Sequence, residues 1–247
     1  MLFVGSLKGN AIKINKKQFP DIYEILESHS RALELKKLPD MYLLQGDGIL
    51  NAFALKFVQR DYVVLYSYML EVAYEEGRDA VSFIIGHELG HIKRNHTGFF
   101  KSYFLLPAKF IPFLGKAYSR ACEYTCDNIG YNLCHKGALK GALILTAGKR
   151  LYTRVNINEL ISNTKSEQDF TMTFSELFST HPHLVKRIAA IHQLNCDNFT
   201  TDTDTFLSAK VDNQQLETKE HSFESKSVQE DAKTLFEKYS RPNTKQF

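Results

Sequence analysis

Two hydrophobic periods divide this chain, one of about 3.6 residues and one of two. Residues 11–14 alternate weakly and predict a short strand. Pro20 suits the first position of a helix, and Ile22, Ile25, Leu26, Ala32 and Leu33 give that helix an apolar face before Leu38-Pro39-Asp40 breaks it. Met41–Gln45 reads as a strand and Gly46-Asp47-Gly48 as a turn. Ala52–Val58 and Tyr62–Tyr66 predict a hairpin around Gln59-Arg60-Asp61. Tyr68–Glu76 predicts a short helix that Gly77 closes.

The next helix is the informative one. Asp79 is its expected N-cap, Val81, Ile84, Ile85, Leu89 and Ile92 form its core face, and Gly98 follows its end, so it is predicted over Ala80–His96. Residues 99–118 are apolar but broken by Lys101, Lys109 and Lys116 and by Pro107 and Pro112. Two further helices are predicted near 118–134 and 138–152, a polar irregular stretch over 153–170, and a last helix near 183–194. From Asp197 onward Thr, Asp, Glu, Lys, Ser and Gln dominate, which predicts a mostly disordered tail. One helix is expected inside it, at 227–239: Ser227-Val228-Gln229-Glu230 is a capping box, and Val228, Ala232, Leu235, Phe236 and Tyr239 share a face. The expected organisation is a domain over 1–196 and a tail over 197–247.

Composition narrows the class of protein. With 43% hydrophobic residues among 247, the chain can bury a core. A net charge of +3 without a concentrated basic face argues against a nucleic-acid partner. No run of about 18 apolar residues predicts a membrane span. Met1-Leu2-Phe3-Val4-Gly5-Ser6 lacks the basic region and apolar length of a signal peptide, although a chain trimmed of its leader would read the same way. Four cysteines are too few for a disulfide scaffold, so a reducing, cytoplasmic setting is expected.

Candidate chemistry centres on His87-Glu88-Leu89-Gly90-His91. Residues four apart on a helix lie about 40° from each other, so two imidazoles from adjacent turns can reach one tetrahedral ion. Glu88 is placed to act on a water at that ion and not to replace a ligand. Zinc needs a third protein ligand and an open position. The candidate lies in a second helical stretch, where Glu123 and Asp127 are again four apart: Glu123 would bind metal while Asp127 holds the far ring nitrogen of a ligand histidine. Taken alone, that pair would read as a solvated acidic face. Cys122 and Cys126 form a rival ligand pair, for which burial in helix packing is the favoured reading.

Four stretches in order resemble the gluzincin family of the CAAX prenyl endopeptidases, the bacterial membrane protease HtpX and their soluble relatives. They are Asn51-Ala52-Phe53-Ala54, the HELGH helix, Ser119-Arg120 followed by Glu123 and Asp127, and Thr180-His181-Pro182-His183 followed by Arg187-Ile188. The resemblance covers roughly residues 40–192. It implies one zinc ion per chain at His87, His91 and Glu123, with Glu88 as general base and Asp127 behind the ligands. It further implies substrate binding along Asn51, Ala52, Phe53 and Ala54 by strand addition, and an active-site role for His181 and Arg187. His181 would stabilise the oxyanion or occupy zinc's open position at rest; the alternative is a structural cap on the following helix. Membrane members carry spans that this chain lacks, so prenylated substrates are not carried over.

The expected fold is a mainly helical α+β gluzincin domain with a small antiparallel sheet and a polar C-terminal tail. The expected function is zinc-dependent endopeptidase action on protein or peptide substrates. The rival is a zinc-binding adaptor or chaperone-like module that does not cleave, against which the presence of Glu88 argues. Segment 99–118 reads first as a hydrophobic cover over the cleft and second as a peripheral contact with a lipid surface. The 227–239 helix would bind its own domain or a partner.

Overall fold

The computed structural model describes residues 2–46, 51–57, 59–95, 113–148, 150–166 and 169–196. The chain begins with α1 (Leu2–Asn10), β1 (Ile12–Lys13), α2 (Pro20–Ala32) and β2 (Asp40–Leu44). The hairpin β3 (Ala52–Phe57) and β4 (Arg60–Tyr66) leads into α3 (Ser67–Glu76) and α4 (Asp79–Lys93). Then come α5 (Leu114–Leu133), α6 (His135–Ala147), a 3-10 turn (Tyr152–Arg154), α7 (Ile157–Ser166) and α8 (Phe170–Phe178), and α9 covers residues 184–196. The protein is α+β and mainly helical.

The sheet differs from the expected antiparallel one. Its order is β1-β2-β4-β3, and β2 pairs with β4 in parallel while the other two pairs are antiparallel. The cause is burial. Tyr62, Val63, Val64 and Leu65 are all buried, and a strand apolar on both faces belongs in the middle of a sheet. The return strand of the hairpin therefore inserts between β2 and β3, and β3 becomes an edge.

Alternation along β4 sends Val63 and Leu65 into the main core and Tyr62 and Val64 into a second cluster on the opposite face. Val4 and Leu7 of α1 cover that second cluster, which gives the first residues a structural role that their sequence reading missed. On the main face, α4 is buried continuously from Ala80 to Gly90. Each large apolar side chain on it, such as Ile85 or Leu89, contributes roughly 1.5–3 kcal/mol.

Glycines let the neighbouring helices close on α4. A Cβ at Gly130 of α5 would lie 2.9 Å from the Phe83 carbonyl oxygen and 3.1 Å from the His87 backbone nitrogen. One at Gly137 of α6 would lie 1.9 Å from the Asp79 carbonyl oxygen.

Several boundaries move. Asp79 is the first residue of α4 and not its cap; Arg78 takes the cap position without a side-chain bond. The helix stops after Lys93, short of His96, where Asn95 turns left-handed at φ 55. Helix α6 stops at Ala147 because Gly148 takes φ 81. The 153–170 stretch, expected to be irregular, holds α7 and the start of α8. Both have polar caps: Asn156 Oδ1 accepts from the Glu159 N–H at 3.1 Å, and Asp169 Oδ1 from the Met172 N–H at 2.8 Å.

Among the described residues no helix is long and apolar enough to cross a membrane. The chain divides into two units, Met1–Asn195 and Cys196–Phe247. The expected polar tail, its 227–239 helix, and residues 99–112 of the expected cleft cover lie outside the described residues.

Candidate metal centre and peptide cleft

Helix α4 brings His87, Glu88 and His91 to one side, facing the Glu123 turn of α5. The Nε2 atoms of His87 and His91 are 3.2 Å apart, with the rings edge to face at 78°. Glu123 Oε2 lies 3.5 Å from His87 Nε2, and Glu123 Oε1 lies 3.4 Å from His91 Nε2. One atom from each of these three residues falls within 4.8 Å of the others.

These separations decide between two kinds of contact. The carboxylate distances exceed ordinary N–H···O lengths of about 2.7–3.2 Å, and two facing imidazole nitrogens can share one proton at most. Three potential ligand atoms thus converge on a common point at distances too long for ordinary hydrogen bonds among all of them. Two imidazoles and a carboxylate form the donor set that suits zinc with one position open, so the residues present fit a divalent cation.

Behind the cluster, Asp127 Oδ1 stands 2.9 Å from His87 Nδ1. With a cation bound, this bond would keep the proton on Nδ1 and free the Nε2 lone pair for the ion. Arg187 of α9 clamps Asp127 through Nε to Oδ2 at 2.7 Å and through its terminal nitrogen to Oδ1 at 2.6 Å. Its other terminal nitrogen lies 3.5 Å from Glu123 Oε2. Arg187 therefore reaches the cluster through two carboxylates.

Burial shifts these groups in opposite ways. For His87, burial disfavours the charged ring, but Asp127 and Glu123 outweigh it and raise the pKa to about 9. For Glu123, burial is again opposed by hydrogen bonding and charge, chiefly from His87, and the pKa falls to about 2. The chain alone thus holds a proton that a cation would displace, so cation binding should release protons. Glu88 is 7% exposed, and burial pushes its carboxyl upward; His87 and a hydrogen bond from the Ala54 N–H act the other way.

A cavity of about 350 Å³ opens beside the cluster. One wall is Ala52, Phe53 and Ala54 of β3 with Asn51 just before them, and His181 and Arg187 also line it. The register of β3 explains what this wall offers. The Asn51 carbonyl accepts from the Tyr66 N–H, so odd-numbered β3 residues bond to β4 and the even-numbered ones present their N–H and C=O groups at the open edge. In this structure Asn51 Oδ1 accepts from the Ala52 N–H at 2.9 Å, while the Ala54 N–H meets Glu88.

His181 stands at the mouth, its side chain 65% exposed and its Nδ1 3.3 Å from Glu123 Oε1. Two residues not singled out for a role support its approach. Arg120 donates to the carbonyls of Glu176 and Ser179 at 2.8 and 2.9 Å, and Lys116 to that of Phe178 at 2.8 Å. Cations at these last carbonyls tie α8 to α5 and fix where the His181 loop begins. Phe83 and Ile84 on the cleft floor were also missed. The signal was available: they precede His87 and Glu88 by one helical turn. Cys126 packs under α4, with its sulfur 3.3 Å from where a Gly90 Cβ would be, and Cys122 is also buried.

A family profile matches most of the chain. The profile of peptidase family M48 matches residues 16–108 and 98–195. No curated protein matches the chain. Among solved structures, the crystal structure of S. mikatae Ste24p is similar at 16% identity and a TM-score of 0.45, covering 68% of this chain and 49% of that one. The chain therefore spans about half the length of that protein.

Proposed function

This chain belongs to peptidase family M48, and from that premise we propose that it is a zinc-dependent endopeptidase that cleaves internal bonds of peptides or unfolded proteins. The observation that carries this reading is the convergence of His87, His91 and Glu123 within 4.8 Å, with the Glu88 carboxyl on the same helix lining the same cleft. His87, His91 and Glu123 would hold the ion. Zinc, when bound, supplies a Lewis acid and lowers the pKa of a bound water to about 7.

The chain's own residues do the rest. An extended peptide pairs with the open edge of β3 at Ala52 and Ala54, with Asn51 beside it. The open edge motivates endopeptidase action, because strand pairing needs no free terminus. Glu88 takes a proton from the attacking water, whose oxygen adds to the scissile carbonyl carbon. Glu88 then gives that proton to the leaving nitrogen as the C–N bond breaks. His181 donates toward the negative charge that develops on the carbonyl oxygen. Asp127 and Arg187 keep His87 oriented throughout.

Glu88→Gln tests the scheme. The amide preserves size and hydrogen bonding but accepts no proton, so metal content and fold should persist while hydrolysis falls by about 10²–10⁴. Degradation of an unfolded protein is the assay, with metal analysis alongside. Equal cleavage by wild type and Glu88→Gln would sink the mechanism.

A further inference from the structure

Past the hairpin end of the cleft lies a second cavity, of about 480 Å³. The same two elements line both. On β3 the lining passes from Ala54 to Lys56, and along α4 from His91 to Ile92 and Lys93, with Asn95 just past the helix end. The segment after α2 closes the far side with Lys36 and Lys37.

Its charge is unbalanced. Lys36, Lys37, Lys56 and Lys93 face two carboxylates, Glu34 and Asp61. Asp61 lies 3.8 Å from Lys56; Lys36, Lys37 and Lys93 form no ion pair with another described residue. Helices α2 and α4 both end at this place, and each C-terminus contributes roughly half a negative charge. About one unit of positive charge is left over, in a concave surface.

Strand geometry connects this surface to the cleft. Ala54 and Lys56 share both the open edge and the face turned toward α4, because side chains repeat every two residues. In a peptide paired with that edge, the residue opposite Lys56 lies two positions from the one opposite Ala54. Its side chain points to the same face, into the lysine cavity. Antiparallel pairing, the sense in which β3 already pairs with β4, puts that residue on the amino-terminal side of the cleaved bond.

We propose that Lys36, Lys37, Lys56 and Lys93 select substrates carrying acidic side chains a few positions amino-terminal to the scissile bond. The proposal rests on the strand-addition reading of the cleft. Rim charges typically change encounter and salt dependence more than they change chemistry. The expected preference is therefore modest, about three- to tenfold in kcat/KM.

The test uses the full chain and three matched peptides with Glu, Gln or Lys at the second to fourth positions before the cleaved bond. Wild type should favour Glu over Lys, and 0.5 M salt should abolish the preference. The double variant Lys56→Gln/Lys93→Gln should lose it while cleaving the Gln peptide at the wild-type rate. Binding of the same labelled peptides to Glu88→Gln protein, followed by anisotropy, gives a readout that needs no hydrolysis. Tighter binding of the Glu peptide that disappears in Glu88→Gln/Lys56→Gln/Lys93→Gln supports the proposal even if no peptide is cut, which would count against the mechanism alone. Equal binding and equal cleavage of Glu and Lys peptides would overturn the lysine assignment and leave the mechanism standing. A preference on the carboxy-terminal side would overturn the antiparallel placement.

Discussion

Arg187 and Asp127 are joined by two short parallel hydrogen bonds, 60 residues apart in sequence and one step behind the candidate metal ligands. Asp127 in turn orients His87. Loss of a carboxylate that orients a metal-bound histidine typically costs about 10–100-fold in metal affinity. Asp127→Asn should weaken zinc by that order in a chelator competition. Arg187→Lys should also weaken it, because a single ammonium cannot reproduce the planar fork. Wild-type affinity in both variants would reduce the clamp to a packing feature.

Steric contact at Gly137 makes a second prediction, about stability. Alanine is favoured over glycine in a helix by about 1 kcal/mol. At Gly137 the new Cβ would meet the Asp79 carbonyl at 1.9 Å, a backbone atom that no rotamer change can move. The clash should win, with Gly137→Ala losing about 1–3 kcal/mol in denaturant unfolding. Gly115→Ala on α5, where a Cβ would meet no atom of the described residues within 4 Å, should be neutral or stabilising. The opposite signs are the check.

How far the sequence reveals this site depends on distance along the chain. Within a helix, the four-residue spacing of His87 with His91 and of Glu123 with Asp127 is readable, because helical geometry ties sequence offset to direction. That α4 and α5 would meet face to face is not, since the apolar stretch between them carries no such rule. Arg187 illustrates the same limit: nothing local pairs it with Asp127, and only resemblance pointed to its region. In the sheet, the β3–β4 hairpin is legible from its two apolar runs, although Arg60 and Asp61, expected in its turn, belong to β4 and pair with Phe57 and Lys56; the parallel pairing of β2 with β4 joins strands that are not neighbours in sequence. Helix α7 was missed for another reason. Its polar composition hid a short apolar set, and the cap at Asn156 was the cue that should have outweighed it.

A third prediction concerns pH and lies away from the metal cluster. His29 is 7% exposed, and its Nε2 is 2.9 Å from Ser82 Oγ. Burial lowers its pKa below 6.5, and the Ser82 carbonyl only partly opposes this. Well above pH 6.5 the residue is neutral in both states and contributes no slope. Below it, the unfolded chain takes up a proton that the folded chain refuses. Stability therefore falls as pH drops, by at most about 1.4 kcal/mol per unit, until the folded pKa is passed. His29→Gln should flatten this part of the stability–pH curve. An unchanged slope would mean that His29 charges freely in the fold.

Truncation makes a fourth. The family match ends at residue 195, and every residue placed at the cleft precedes it. A chain ending at Cys196 should bind zinc with wild-type affinity and unfold cooperatively. Loss of metal or of cooperative unfolding would make the remaining residues part of the domain.

Helix α4 has no solvent-facing side between Ala80 and Gly90. Its residues are pressed by a sheet, by α5 and by α6, so an exchange that suits one neighbour offends another. Variation there is confined to swaps that keep volume on every side, and the helix that carries His87 and His91 is in effect frozen against drift. On the proposed function, change in substrate preference must then enter elsewhere, through the open edge of β3 and the exposed lysines beyond it. A directed-evolution library should follow the same asymmetry. Diversity at Lys36, Lys37, Lys56 and Lys93 would yield folded variants with new preferences, whereas equal diversity along Ala80–Gly90 would yield mostly chains that never assemble a site.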